Sequence, residues 1–201
     1  MGLNQSRNTL NDQDRELANL ADIAYDDKAE LRHERAQKLG YSLDSELSNE
    51  HAAVFKHNHS GDAVIAYRGT KSPNDLSADW DIALGGVPEN RVGTAMEVHQ
   101  KTKLKYKKVK LTGHSLGGTI AHHVSNRTND NATIFNPGSS PFLPANVGNN
   151  VRVIRNSNDM VSHGYRNSKN TINVQRRVDP IEIIIPWSQG YLDHQATQFY
   201  K

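Results

Sequence analysis

The chain has 201 residues, a formal charge of +2 and 35% apolar residues, with a mean hydropathy of −0.73. That length fits one domain with one modest core, and a near-neutral balance argues against a dedicated nucleic-acid binder. No cysteine is present, which excludes disulfides, thiolate metal sites and a cysteine nucleophile. No run of apolar residues is long enough for a membrane-spanning helix, and the polar N-terminus lacks the apolar stretch of a secretory signal. The expected location is therefore the cytoplasm or the periphery of a membrane. Met1-Gly2 with Ser6 fits a myristoylation pattern, but one so short that chance also produces it.

In chain order, Leu10, Leu17, Leu20, Ile23 and Ala24 recur at helical spacing, with Asn11 or Asp12 as the cap. A second helix is expected from about Asp27 to Lys38, ending at Gly40. Residues 1–45 thus read as an N-terminal helical segment of a single 1–201 domain. The apolar runs His51–Phe55 and Ala63–Tyr67 flank the turn-forming His57–Asp62 and read as a hairpin. A helix from Val92 to about Tyr106 precedes a strand at Val109–Thr112. Another helix runs from Leu116 to Asn126, then strands follow at Ala132–Phe135 and Val151–Ile154. Late strands are expected at Ile172–Val174 and Ile181–Ile185. Strand–helix–strand alternation predicts an α/β fold, with a mainly parallel sheet, helices on its faces and the hairpin as an antiparallel edge.

The most informative segment is Gly113-His114-Ser115-Leu116-Gly117-Gly118, between a predicted strand and a predicted helix. A nucleophilic serine must stand on a tight strand-to-helix turn, where side chains two positions away would collide. Gly113 and Gly117 remove those collisions, and the helix start aims the Leu116 N–H at a developing oxyanion. The plainer alternative is a glycine-rich turn in which Ser115 only caps a helix. A serine hydroxyl needs a base, and the base an orienting acid. Asp159 follows a predicted strand, where α/β sheets carry their chemistry, and reads equally as a loop aspartate in an Asn-rich turn; Asp193, adjacent to His194, is a weaker competitor for the acid. Of ten histidines, His33, His51, His57, His59 and His99 precede Ser115, His114 adjoins it, and His122 and His123 lie on the helix behind it. His194 and His163 remain. His194 is preferred because it arrives on a separate late segment, whereas His163 shares one loop with Asp159.

Together these residues resemble the class 3 lipase family of α/β-hydrolases, in a short, lid-poor form. Gly113–Gly118 is similar to that family's nucleophile elbow, Ala63–Thr70 to its strand ending in Arg-Gly-Thr, Asp75–Trp80 to the acidic stretch after it, Thr133–Gly138 to its strand and Pro/Gly turn, and Val153–Val161 to its acid segment. The resemblance implies Ser115 as nucleophile, Asp159 as acid and His194 as base. It implies Thr70 beside Leu116 as the oxyanion contacts, Gly113, Gly117 and Gly118 as support, and structural roles for Arg68 and Asp79. It implies acyl-ester hydrolysis of lipid-like substrates with no metal or organic cofactor. The chain departs from the pattern in its short spacings, 44 residues from Ser115 to Asp159 and 35 from there to His194, and in lacking an amphipathic lid helix between Asp81 and Val98. Alternatives are a thioesterase or peptidase with the same triad, or a non-catalytic interaction module on a hydrolase scaffold. Six lysines within Lys101–Lys110 read either as a solvated helix end or as a contact for an anionic membrane.

Overall fold

The computed structural model describes residues 10–69, 87, 89–139 and 144–175. Helix α1 spans Asp12–Ile23 and α2 Ala29–Gln37. Strands β1 (Tyr41–Leu43), β2 (Ala52–His57) and β3 (Ala63–Tyr67) follow, then α3 (Glu89–Lys105), β4 (Val109–His114), α4 (Leu116–Thr128), β5 (Ala132–Phe135), β6 (Val151–Asn156) and β7 (Thr171–Val174). The seven strands form one sheet in sequence order. β1 and β2 pair antiparallel with their successors, and β3 through β7 are parallel. The expected α/β architecture, with the hairpin as its antiparallel margin, is borne out.

Period-two alternation sorts the strands between two cores. Ala52, Val54, Ile65, Tyr67, Leu111, Ile134 and Val153 face α3 and α4. Phe55, Val64, Ala66, Phe135 and Ile154 face α1, which contributes Leu17, Leu20 and Ile23. Helices therefore cover both faces. The first helix is a full layer of the sandwich rather than a loose arm. It starts with a capping box, in which the Asn11 side chain accepts the Asp14 N–H and Asp14 accepts the Asn11 N–H.

One expectation needs correction: Tyr41–Leu43, inside the segment read as helical, is a strand. Three residues are too few for a recognisable alternation. Gly40, at φ 81°, turns the chain out of α2 so that this strand can lie beside β2. The expected strand at Ile181–Ile185 lies outside the described residues. Among the described residues no helix is long and apolar enough to cross a membrane.

Candidate active site

The parallel strands end level with one another, Tyr67 opposite Gly113 and His114 opposite Phe135 opposite Ile154. Ser115 stands one residue beyond β4, and α4 begins at the next residue. A turn this abrupt forces Ser115 to φ 55° and ψ −130°, a conformation that side-chain-bearing residues rarely hold. Glycine is required around it. A Cβ on Gly113 would overlap the Gly117 carbonyl, and one on Gly117 would overlap the carbonyl of Tyr67 on β3. At Gly118 it would press on the Gly113 oxygen at 3.0 Å and on Pro137 at 3.3 Å.

Hydrogen bonds hold both peptide planes that flank Ser115. Before it, the Ser115 N–H donates to Phe135 O at 3.1 Å, and the His114 carbonyl accepts the Tyr25 hydroxyl at 3.0 Å. After it, the Ser115 carbonyl accepts the N–H groups of Gly138 at 3.2 Å and Thr119 at 3.1 Å. The Thr119 hydroxyl ties the same corner together by donating to Gly138 O at 2.7 Å. A trans peptide carries its N–H opposite its C=O, so anchoring the Ser115 carbonyl turns the Leu116 N–H to the other side. As the first residue of α4, Leu116 has no carbonyl within the helix to donate to.

Asp159 follows β6, two strands from Ser115, and is 1% exposed. Its carboxylate accepts the Val161 N–H at 3.0 Å, the Ser162 N–H at 3.2 Å and the Ser162 hydroxyl at 2.6 Å. Beneath it, the buried Arg155 donates to the Asp159 carbonyl at 2.6 Å, to Ser162 Oγ at 3.0 Å and to Asn173 at 2.7 Å. Burial pulls the Arg155 guanidinium below its ordinary pKa, and the neighbouring Asp159 charge pushes back. Sequence reasoning missed this support because arginine in a strand carries no motif. It also missed Asn136, at φ 39° and fully buried, whose side chain accepts the Asn156 N–H at 2.8 Å and joins the ends of β5 and β6.

Of the other expected site residues, His194, Thr70 and Asp79 lie outside the described residues. Gly69, just before Thr70, is held by the Tyr25 hydroxyl, which accepts its N–H at 3.1 Å. Arg68 donates to Asp27 at 2.9 Å and to the Tyr25 carbonyl at 3.0 Å. His163 opens a 3-10 turn, His163–Tyr165, and its ring lies against the Arg166 guanidinium. His122 is buried against the Tyr165 hydroxyl at 2.9 Å, and His99 is bonded to Asp130 at 2.6 Å. Among the described residues, no three His, Asp or Glu side chains gather into a metal-ligating cluster.

A glycine-braced serine on a strand-to-helix turn, with a buried carboxylate two strands away, has the layout of a lipase-like α/β-hydrolase domain. The chain belongs to the phospholipase-like family whose model, the Tle-like phospholipase domain, matches residues 10–182. Lip2 lipase from Yarrowia lipolytica shares the fold, with a TM-score of 0.54, 14% identity, and coverage of 92% of this chain and 91% of that one. A Rhizomucor miehei lipase, in a propeptide complex, gives 0.45 and 16%, with 75% of this chain covered; the chain spans 62% of that protein. No curated protein matches the chain. The lipase-like resemblance drawn from the motifs agrees with the phospholipase-like family model and with a fold shared with a lipase.

Proposed function

We propose that the chain hydrolyses carboxylic esters of lipid-like molecules, as a phospholipase or lipase, through an acyl-enzyme on Ser115. The observation that carries this reading is the Ser115 backbone at φ 55°, a strained conformation braced on both sides by hydrogen bonds. Such strain persists where the surroundings over-determine it, and it clusters at reacting groups.

In the proposed sequence, Ser115 Oγ attacks the ester carbonyl carbon while His194 takes the hydroxyl proton. The carbonyl π electrons move to oxygen, and the Leu116 N–H and Thr70 receive the resulting oxyanion. The tetrahedral species collapses, the ester C–O bond breaks, and His194 returns its proton to the leaving alcohol. Water then attacks the acyl-serine by the same route, releasing the acid and restoring Ser115. Asp159 orients the imidazole. What supports that role is its place just past the end of β6, two strands from β4 and at the same end of the sheet as Ser115.

The test is labelling with a fluorophosphonate and mapping of the modified peptide. Ser115 is the expected site, and Ser115→Ala is expected to lose both labelling and hydrolysis of a soluble aryl ester, by at least about a thousandfold. Undiminished turnover in Ser115→Ala ends the proposal. In parallel, His194→Ala is expected to be inactive and His163→Ala active; the reverse result would move the base to the Asp159 loop.

A further inference from the structure

We infer that Tyr25 is a positioning residue of the ester-cleaving centre: its single hydroxyl fixes the strand end that leads to Thr70 against the peptide that leads into Ser115. The inference rests on the acyl-transfer reading above and adds a residue that no motif marks.

Tyr25 lies two residues beyond α1. Its oxygen accepts the Gly69 N–H at 3.1 Å and donates to the His114 carbonyl at 3.0 Å, so one atom serves both segments. Those partners are 44 and 89 residues away in sequence. Each is one residue short of a proposed reacting group, Thr70 on one side and Ser115 on the other. A phenol is suited to this because its oxygen donates and accepts, and its ring gives the reach that serine and threonine lack.

The clamp is reciprocal. The Tyr25 carbonyl accepts a bond from Arg68, whose guanidinium also lies 5.9 Å from the Tyr25 ring centroid. Arg68 is in turn held through its own carbonyl by Arg91 at 2.8 Å. Gly69 has no room for a side chain: a Cβ there would meet the Tyr25 hydroxyl, Gly117 N at 3.0 Å and His114 O at 3.0 Å. Three segments thus close on one point with the hydroxyl between them. Burial pushes the phenol pKa above its usual range, so the hydroxyl keeps its proton, and its donor role, at ordinary pH.

Without the hydroxyl, the Gly69 N–H and the His114 carbonyl lose their shared partner, and the two segments lose the bond that sets their relative position at this point. Oxyanion donors act only when aimed at the place where charge develops, so a small shift weakens the transition state more than the bound substrate. Tyr25→Phe is therefore expected to lower kcat on a soluble aryl ester about 10- to 100-fold, with KM moving less than about twofold. Phosphonylation of Ser115 by a fluorophosphonate is expected to slow by a similar factor.

Tyr106→Phe is the control. It removes a hydroxyl that donates to Asp44 at 2.7 Å, beside the start of β4, and is expected to alter thermal stability without altering kcat. If Tyr25→Phe keeps kcat and the phosphonylation rate within twofold while Ser115→Ala is dead, the inference is overturned and the acyl-transfer reading stands. If Tyr25→Phe raises KM at unchanged kcat, or Tyr106→Phe loses kcat equally, a specific positioning role is likewise overturned. An active Ser115→Ala sinks the underlying reading instead.

Discussion

Ser115 shows how a strained residue and its glycine neighbours form one unit. A conformation of this kind costs about 1–3 kcal/mol when isolated, and here the cost is met by bonds to Phe135, Gly138 and Thr119. Those bonds exist only while α4 sits directly on the end of β3, and Gly117 permits that approach. A Cβ on Gly117 would overlap Tyr67 O and lie 2.9 Å from Gly69 N, both backbone atoms that cannot rotate away. Gly117→Ala should therefore cost about 3 kcal/mol and remove turnover. Gly93, inside α3 with nothing within 4 Å of its Cβ position, should instead gain about 0.5–1 kcal/mol on replacement by alanine. Thermal or urea melts of the two variants beside the parent check both. The elbow was legible in the sequence because its chemistry is local: strand, Gly113, Ser115, Gly117 and helix follow within a few residues. Tyr25, Arg155 and Asn136 were not, because each acts through partners that only the folded sheet brings near.

The strands and helices were legible where pattern and length agreed. Short apolar runs marked β2 to β6, and Asn11 was one of the two caps expected for α1. Asp14 does two jobs that spacing cannot reveal: it closes the capping box and accepts both Nε and Nη2 of Arg152 at 2.8 Å, across 138 residues. α4 carries a comparable hidden burden in His122, which is 6% exposed and bonded to the Tyr165 hydroxyl. Burial, reinforced by the neighbouring His123, pulls the His122 pKa down to about 4. The unfolded chain binds a proton there near pH 6.5 and the native state does not until about pH 4, so falling pH favours unfolding. The stability that neutral His122 confers is complete above pH 6.5 and drains between pH 6.5 and 4, by up to about 3 kcal/mol. Urea midpoints from pH 7 to 4 should show that decline. His122→Gln should flatten it, and an equally steep decline in that variant would refute the assignment.

Across the whole molecule, the sheet has two ends with different chemistry. Ser115, Asp159 and Gly69 lie at the carboxyl ends of the parallel strands. The lysine-rich segment lies at the other end: Lys107 and Lys108 immediately precede β4, and β4 is six residues long, about 20 Å. Lys103 is paired with Asp130, and Lys105 with Asp44 and Glu46. Among the described residues Lys101, Lys107, Lys108 and Lys110 make no ion pair, and Leu104 is 90% exposed. Near an anionic surface each such lysine is attracted by about 1 kcal/mol, and we propose this end as one that such a bilayer would draw in by charge. A molecule held that way turns Ser115 away from the lipid. Binding and turnover should then separate: Lys107→Glu with Lys108→Glu should weaken pelleting with anionic vesicles at least tenfold, yet leave hydrolysis of lipid in the same vesicles undiminished. If hydrolysis falls in step with binding, the lysines deliver the serine to its substrate, and the opposition of the two ends does not govern how the protein meets a membrane.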